Sequence, residues 1–423
     1  MAGLMSAYQP SQSIERIEIR IHPVDMLTWL SLQQSQVKIY GANQDDTMAI
    51  AAIGEAVCLT SQRKGNLKKI FKKLRSCLTP RYPYLQWYGG FCFDDRHLDS
   101  DWKEFGAYRF VLPRFELAAQ GDKMIFCCNW TPQDNIKDVL RQLNRVVIPK
   151  SKAGHTKIKG GIISRRSDQP DQKLWEQDVK KILRDATVEK VVLARKTSLS
   201  FQEGPDPWVM LRQLKKVTPN SYHFAFQFKK TVFLGASPER LYRRHGRSMA
   251  SEALAGTVAQ GVAPKVLQNS RKNRWEHALV VDAIQAAFKN FCTVYRYPKS
   301  PSVLTLPSGH HLMTPFQGQL KDGVNDEDIL QSFHPTPALG GTPRKRALAM
   351  IRKLEGFSRG WYGAPIGYVG RNWAEFVVAI RSGLACGKKL SVFAGAGIVQ
   401  GSTPEGEWKE VENKISNFIK IIR

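Results

Sequence analysis

The stretch EKVVLARKTSLSF, residues 189–201, alternates in the manner of a β-strand. Successive side chains of a strand point to opposite faces, so Val191, Leu193, Leu199 and Phe201 share one face and Lys190, Val192, Ala194, Ser198 and Ser200 share the other. The second face carries the smaller side chains, yet it opens with an ammonium. A lysine there leaves space beside it for something other than protein.

Outward from this strand, the pattern repeats. LWEQDVKKILRDATV, just before it, reads as an amphipathic helix with Leu174, Val179 and Ile182 near one face. After it, strands are expected near 221–228, 231–236, 240–244 and 248–254, a long apolar helix over 272–290, and strands near 303–306 and 313–320. Helices follow at 325–332 and 343–355, then strands at 365–369, 375–385 and 390–394, and a closing helix from 404. Towards the N-terminus, IERIEIRIHP and QWYGGFCFDD read as strands, and YRFVLPRFELAAQGDKMIFCCNW as two strands joined at Gln120-Gly121. Runs of strands with helices between the groups indicate an α+β class with largely antiparallel sheets. SKAGHTKIKGGIISRRSDQP, 151–170, is polar and glycine-rich, and reads as a linker or exposed loop.

Composition narrows the function classes. The 423 residues include 42% hydrophobic residues, which suits a globular chain. No apolar run approaches the ~18 residues needed to span a bilayer, and the start lacks a signal- or transit-type pattern, so a soluble cytoplasmic protein is expected. Seven scattered cysteines, two of them adjacent at 127 and 128, suit neither disulfides nor a tetrahedral metal site. The balance of 63 basic against 37 acidic residues raises nucleic acid as a partner. In the densest run, KGNLKKIFKKLR (64–75), Leu67, Ile70, Phe71 and Leu74 lie at helical spacing, which turns the lysines to a solvated face; no nucleic-acid-binding motif accompanies them. Neither nucleic acid, a membrane nor an obligate protein partner is expected.

The chemistry-bearing groups are spread along the chain. In STPEGEWKEVENK, Glu407, Glu410 and Lys414 share one helix face, either as a surface ion-pair stripe or as a site for a hard cation. Glu276 heads a helix that turns apolar, where burying a lone carboxylate is costly unless a proton or a metal neutralises it. His277 beside it has no second histidine at helical spacing and reads as structural. Glu239 follows Pro238 at a strand end. Gly256 and Thr257, and Gly395 and Gly397, place backbone donors at other strand ends. Arg381 is read on a strand face with Val377 and Ala379, where a guanidinium usually has an anionic partner; a structural salt bridge is the plainer reading. Together these groups suit a small, multiply anionic metabolite better than a polymer.

These residues sit in motifs that resemble the chorismate-utilising enzymes, and within them the isochorismate synthases. EKVVLAR, GASPERL, EALAGT, Glu276-His277, HHLMTPFQG, HPTPALGGTP, RGWYGAPIGY, FVVAIRSG and AGAGIVQGSTPEGEWKEVENK cover residues 185–423 in order, and WYGGFCFDD with FVLPRFEL extends the likeness towards menaquinone-type members. The resemblance implies one domain over 1–423, with 1–150 as its N-terminal part and 165–423 as the catalytic core. Its fold would be a layered α/β/β/α sandwich of two large antiparallel sheets with helices outside, as in anthranilate synthase component I. Members that add water carry a lysine where Lys190 stands, Ala255 replaces the nucleophilic lysine of another branch, and HPTPALGG with Ala338 follows the isochorismate rather than the salicylate pattern. The loop YVGRNWAEF looks one residue short, near the substrate, and the segment between Thr257 and Glu276 also looks short.

By this resemblance, chorismate becomes isochorismate as water enters at C2 and the C4 hydroxyl leaves. Lys190 would be the base, its amine lowered from a free pKa of about 10.4, and Glu239 the general acid, raised by an apolar or anionic setting. Mg²⁺ on Glu276, Glu410 and Glu407 would hold the ring carboxylate. Arg381, Tyr362, Lys414 and Gly395 would take the enolpyruvyl carboxylate, and Gly256, Thr257 and His311 would orient the ring. The alternatives are a salicylate synthase, a siderophore-pathway isochorismate synthase and, more remotely, a basic nucleic-acid-binding protein.

Overall fold

The computed structural model describes residues 13–94, 98–149, 162–306 and 309–422. Residues 150–161, most of the expected linker, lie outside that set. The rest of that stretch is not a linker: Ile163–Gln169 is a strand paired with Lys196–Phe201.

Among the described residues, hydrogen bonding joins twenty strands into one sheet. From Gly309–Leu320 it passes through Ser248–Val258, Arg240–His245, Trp373–Val378, Pro365–Gly370 and Gln86–Phe91 to the long strand Tyr108–Gln120. From there it continues through Met48–Ser61, Val37–Ala42, Tyr222–Phe228, Thr231–Ser237, Ser382–Cys386 and Lys389–Val399 to Lys190–Phe201. Every pairing in this path is antiparallel. The two expected sheets are thus two halves of one curled sheet, because the long strands at 48–61 and 108–120 carry the hydrogen bonding from one half to the other.

The halves share an inner aromatic core. Trp102, Phe105, Phe226, Phe228, Phe233, Trp361 and Phe393 are buried in one cluster, with Phe105 and Phe228 centroids 5.0 Å apart and Phe226 and Trp361 5.6 Å apart. Such tilted and edge-to-face contacts are favoured by the ring quadrupoles. A second cluster lines the outer faces and takes the apolar stripes of the helices: Ile70, Phe71 and Leu74 of Leu67–Ser76, and Val411, Ile415 and Phe418 of Pro404–Ile422. The lysines of Leu67–Ser76 do face solvent. In Gln172–Arg184 the buried face is Trp175, Val179 and Ile182; Leu174 is exposed, one position off the expected stripe.

The strand expected over 375–385 is broken. Trp373–Val378 and Ser382–Cys386 are separate strands, and Arg381 between them has φ 51°. That left-handed conformation is uncommon for a residue with a side chain and tends to occur at functional sites. Arg381 therefore does not share a strand face with Val377 and Ala379. The break turns the chain from one half of the sheet into the other, where the Arg381 carbonyl accepts from Ala236 N (3.1 Å).

Candidate active site

The two halves leave a cavity with about 700 Å³ of space, its open mouth included. Glu239, Gly256, Thr257, Glu276, His311, Ala338, Tyr362, Arg381, Gly395, Glu410 and Lys414 all line it, so residues nearly 180 positions apart meet in one place. The expected short loop 368–376 contributes nothing to the wall. Lys190 and Glu407 sit one layer behind the lining, each in contact with a carboxylate or lysine of the site.

Lys190 begins the strand Lys190–Phe201, opposite Val399 on one side and Thr342 on the other. Its side chain is 1% exposed, and its Nζ lies 2.8 Å from Glu276 Oε1. Gly397 makes that contact possible. A Cβ there would stand 2.4 Å from Glu276 Oε1 and 2.8 Å from Lys190 Cε, closer than atoms pack. Of the small-residue face read from the sequence, only Val192 lines the cavity; Gly395 and Gly397 of the neighbouring strand Lys389–Val399 complete the wall there.

Glu239 lies in the tight connection between Thr231–Ser237 and Arg240–His245. Its backbone is fixed by Ser237 Oγ, which accepts from Glu239 N (3.2 Å), and by Val378 N, which donates to Glu239 O (3.0 Å). No group among the described residues donates a hydrogen bond to its carboxyl. Burial, then the neighbouring Glu252, pushes its pKa up to about 8, against the pull of Lys190 and Lys414. This is the environment expected of a carboxylic acid kept protonated near neutral pH.

The three predicted metal ligands each have a lysine. Glu276 takes Lys190, Glu410 takes Lys414 (2.7 Å), and Glu407 takes Lys272. Among the described residues no group of three or more His, Cys, Asp or Glu side chains could hold a metal ion. Burial would raise the Glu276 carboxyl, but Lys190, Lys414 and Lys272 outweigh it and hold it below the ordinary range. Burial, then Glu410, raises Glu407. The site carries three carboxylates whose charge is balanced by ammonium groups rather than by distance.

The anion-binding side is complementary. Arg381 makes no ion pair among the described residues; Lys414 Nζ also donates to the Gly395 carbonyl (2.8 Å). His311 Nδ1 lies 3.0 Å from Thr257 Oγ1, and its Nε2 lies 3.5 Å from Arg381 Nη2. Burial, then Arg381 and Lys414, holds His311 well below its usual pKa, so it is a neutral imidazole. Gly256, at φ 76°, forms a bulge between Ala255 and Thr257 where a Cβ would stand 3.0 Å from the Asn273 carbonyl. His277 is buried against Thr314 Oγ1 (2.8 Å), the structural role expected of it.

Over residues 4–423 the chain matches the family of chorismate binding enzymes. The chain belongs to that family. It is 33% identical over 351 residues to isochorismate synthase MenF of Bacillus subtilis, covering 79% of this chain and 74% of that protein. It is 30% identical over 437 residues to isochorismate synthase MenF of Pasteurella multocida, covering 99% and 96%. The menaquinone-specific isochorismate synthase structure from Escherichia coli superposes with a TM-score of 0.85 at 29% identity, covering 98% of this chain and 95% of that one. The family fold, a large curled antiparallel sheet with helices outside, is the one described above.

Two residues that act on the groups of this cavity were not singled out from the sequence. Lys272 precedes Glu276 by four positions on one helix face, a spacing that could have flagged it. Glu252 is the nearest acidic influence on Glu239; its Oε1 accepts from Arg240 N (2.8 Å). A carboxylate on the buried strand Ser248–Val258 was its only sequence signal.

Proposed function

We propose that this chain is an isochorismate synthase that converts chorismate to isochorismate, for menaquinone synthesis. The observation that carries the reading is the cavity lined by Glu239, Glu276 and Arg381, with Lys190 directly behind its wall on Glu276, in a chain similar along its whole length to isochorismate synthases. The reaction balances without any redox partner. A water oxygen bonds to C2, the C4–O bond breaks, and the two ring double bonds each shift by one position.

Lys190 takes the proton of the entering water. It must leave Glu276 to do so, since in the described arrangement its Nζ is held by that carboxylate behind the wall. Glu239 donates the proton that carries off the C4 hydroxyl, and its raised pKa keeps that proton in place near neutral pH. Arg381 and Lys414 bind the enolpyruvyl carboxylate, Tyr362 and the Gly395 edge flank it, and neutral His311 with Thr257 orients the ring. Glu276 and Glu410, both facing the cavity, are a donor set that Mg²⁺ accepts together with waters and substrate oxygens, with Glu407 behind them. Mg²⁺ bound there would neutralise the ring carboxylate against the acidic side of the site.

Glu252→Gln should remove one of the influences that keep Glu239 protonated. The rate requires the protonated acid and falls as pH rises through its pKa, about 8 here. The alkaline limb of kcat in the variant is therefore expected at lower pH than in the wild type. A pH–rate profile of the two proteins checks this, and an unmoved limb removes Glu252 from the account.

The reading is tested by incubating the purified chain with chorismate, with Mg²⁺ or with EDTA, and separating the products by chromatography. Isochorismate is expected with Mg²⁺ and at least about tenfold less with EDTA. Salicylate with pyruvate would make the chain a salicylate synthase. No turnover, with salt-sensitive binding to random duplex DNA, would overturn the enzyme reading altogether.

A further inference from the structure

Behind the cavity wall, Arg359 and Glu355 form an ion pair whose side chains are 2% and 3% exposed. Arg359 Nε donates to Glu355 Oε2 (2.8 Å) and Nη2 to Oε1 (2.5 Å). The remaining hydrogen bonds go to backbone. Arg359 Nη1 donates to the Leu339 carbonyl (2.9 Å), Nη2 to the Val192 carbonyl (2.7 Å), and Glu355 Oε1 accepts from Ala194 N (2.7 Å). The guanidinium lies 4.3 Å from the Phe93 ring centroid and 5.9 Å from that of Tyr362.

These contacts fill a gap in the sheet. On one edge of the strand Lys190–Phe201, Gly341–Thr342 pairs with Lys190 and Val191, and Ile163–Gln169 pairs from Lys196 onward. Between them the backbone groups of Val192 and Ala194 have no partner strand. Buried backbone groups must be satisfied, and here the Gly340 carbonyl, which accepts from Val192 N (3.1 Å), and the Glu355–Arg359 pair do it. The same guanidinium reaches Leu339, so it ties the loop carrying Ala338 and Leu339 to the strand that begins with Lys190. Val192, Ala338, Leu339 and Tyr362 all line the cavity. An apolar pair could fill this volume without the desolvation cost of two buried charges, but it could not hold two carbonyls and an amide in register.

We propose that Glu355 and Arg359 are a positioning pair: they fix the Ala338–Leu339 wall and Tyr362 against the Lys190 strand and so set the fit of the substrate ring, touching no substrate atom themselves. The inference rests on the cavity being the chorismate site. The test compares wild type, Arg359→Lys and the double variant Glu355→Leu/Arg359→Met by KM, kcat and melting temperature. Arg359→Lys keeps the charge but not the fork, and KM for chorismate is expected to rise about tenfold with kcat falling less. The double variant is expected to fold but melt below the wild type, since the Val192 and Leu339 carbonyls and the Ala194 amide lose their partners, and to show the raised KM. An unchanged KM in either folded variant overturns the proposal, whatever happens to melting. Failure of both to fold also overturns it, since the pair would then serve folding rather than position. Absence of turnover by the wild type would instead defeat the chorismate reading on which the proposal stands.

Discussion

Replacing Lys190 with alanine is expected to lower kcat about a thousandfold, the usual weight of a general base, while chorismate still binds. The lysine stands behind the cavity lining, so its removal leaves the lining residues Arg381 and Lys414, the proposed partners of the enolpyruvyl carboxylate, in place. It does take the nearest counter-charge from Glu276. Breaking a buried ion pair costs about 3–5 kcal/mol when the remaining charge stays dry; here Glu276 borders the cavity, where water can reach it, and Lys414 and Lys272 still act on it. A smaller loss of stability is therefore expected, and the measurement must separate it from catalysis. Single-turnover rates on folded protein, with chorismate affinity from equilibrium titration, do so. A near-normal rate at saturating chorismate would remove Lys190 as the base.

Glu239→Gln is expected to have a comparable effect on rate, about 10²–10⁴-fold, with the opposite effect on stability. The amide has the shape of the acid but no proton to give to the leaving hydroxyl. In the folded chain Glu239 titrates near 8, far above an ordinary carboxyl. Between the ordinary carboxylate range and pH 8 the folded state holds a proton that the unfolded state has released, so this residue's contribution to stability declines as pH rises across that window. The neutral amide has no such dependence. At pH 8 the variant should melt at or above the wild-type temperature while being nearly inactive. Loss of both activity and stability would point to a carboxylate held by neighbours, not to a protonated acid.

Much of this site was legible because its chemistry is local. Alternation placed Lys190 on the small face, Pro238 marked the turn that presents Glu239, and the spacing of 407, 410 and 414 put three charges on one helix face. What was not legible depends on partners far away in the chain. Strand counting could not see that the chain breaks at Arg381, because the left-handed turn there serves a jump between sheet halves and leaves no trace in residue period. The strand Ile163–Gln169 read as part of a linker because its polar residues gain their order only from pairing with 196–201. The two sheets are one because residues 48–61 pair with residues 108–120, a register that no local pattern encodes. Two of the lysine partners were likewise invisible, since Lys190 and Glu276 are 86 positions apart and Lys272 and Glu407 are 135 apart, whereas Glu410 and Lys414 share a helix face. The meeting of Lys190 and Glu276 also revises the expected picture of a lysine facing open space, since Gly397 lets the amine and the carboxylate close on each other first.

The central claim, that water enters at C2 under Lys190 while the C4 hydroxyl leaves under Glu239, is tested most directly by running the first turnovers of chorismate in ¹⁸O-labelled water with Mg²⁺ and weighing the product. Isochorismate two mass units heavier, with the label on the C2 oxygen, is the predicted result. Unlabelled isochorismate would mean that the hydroxyl migrates within the substrate, and the base-and-acid arrangement across this cavity would be wrong.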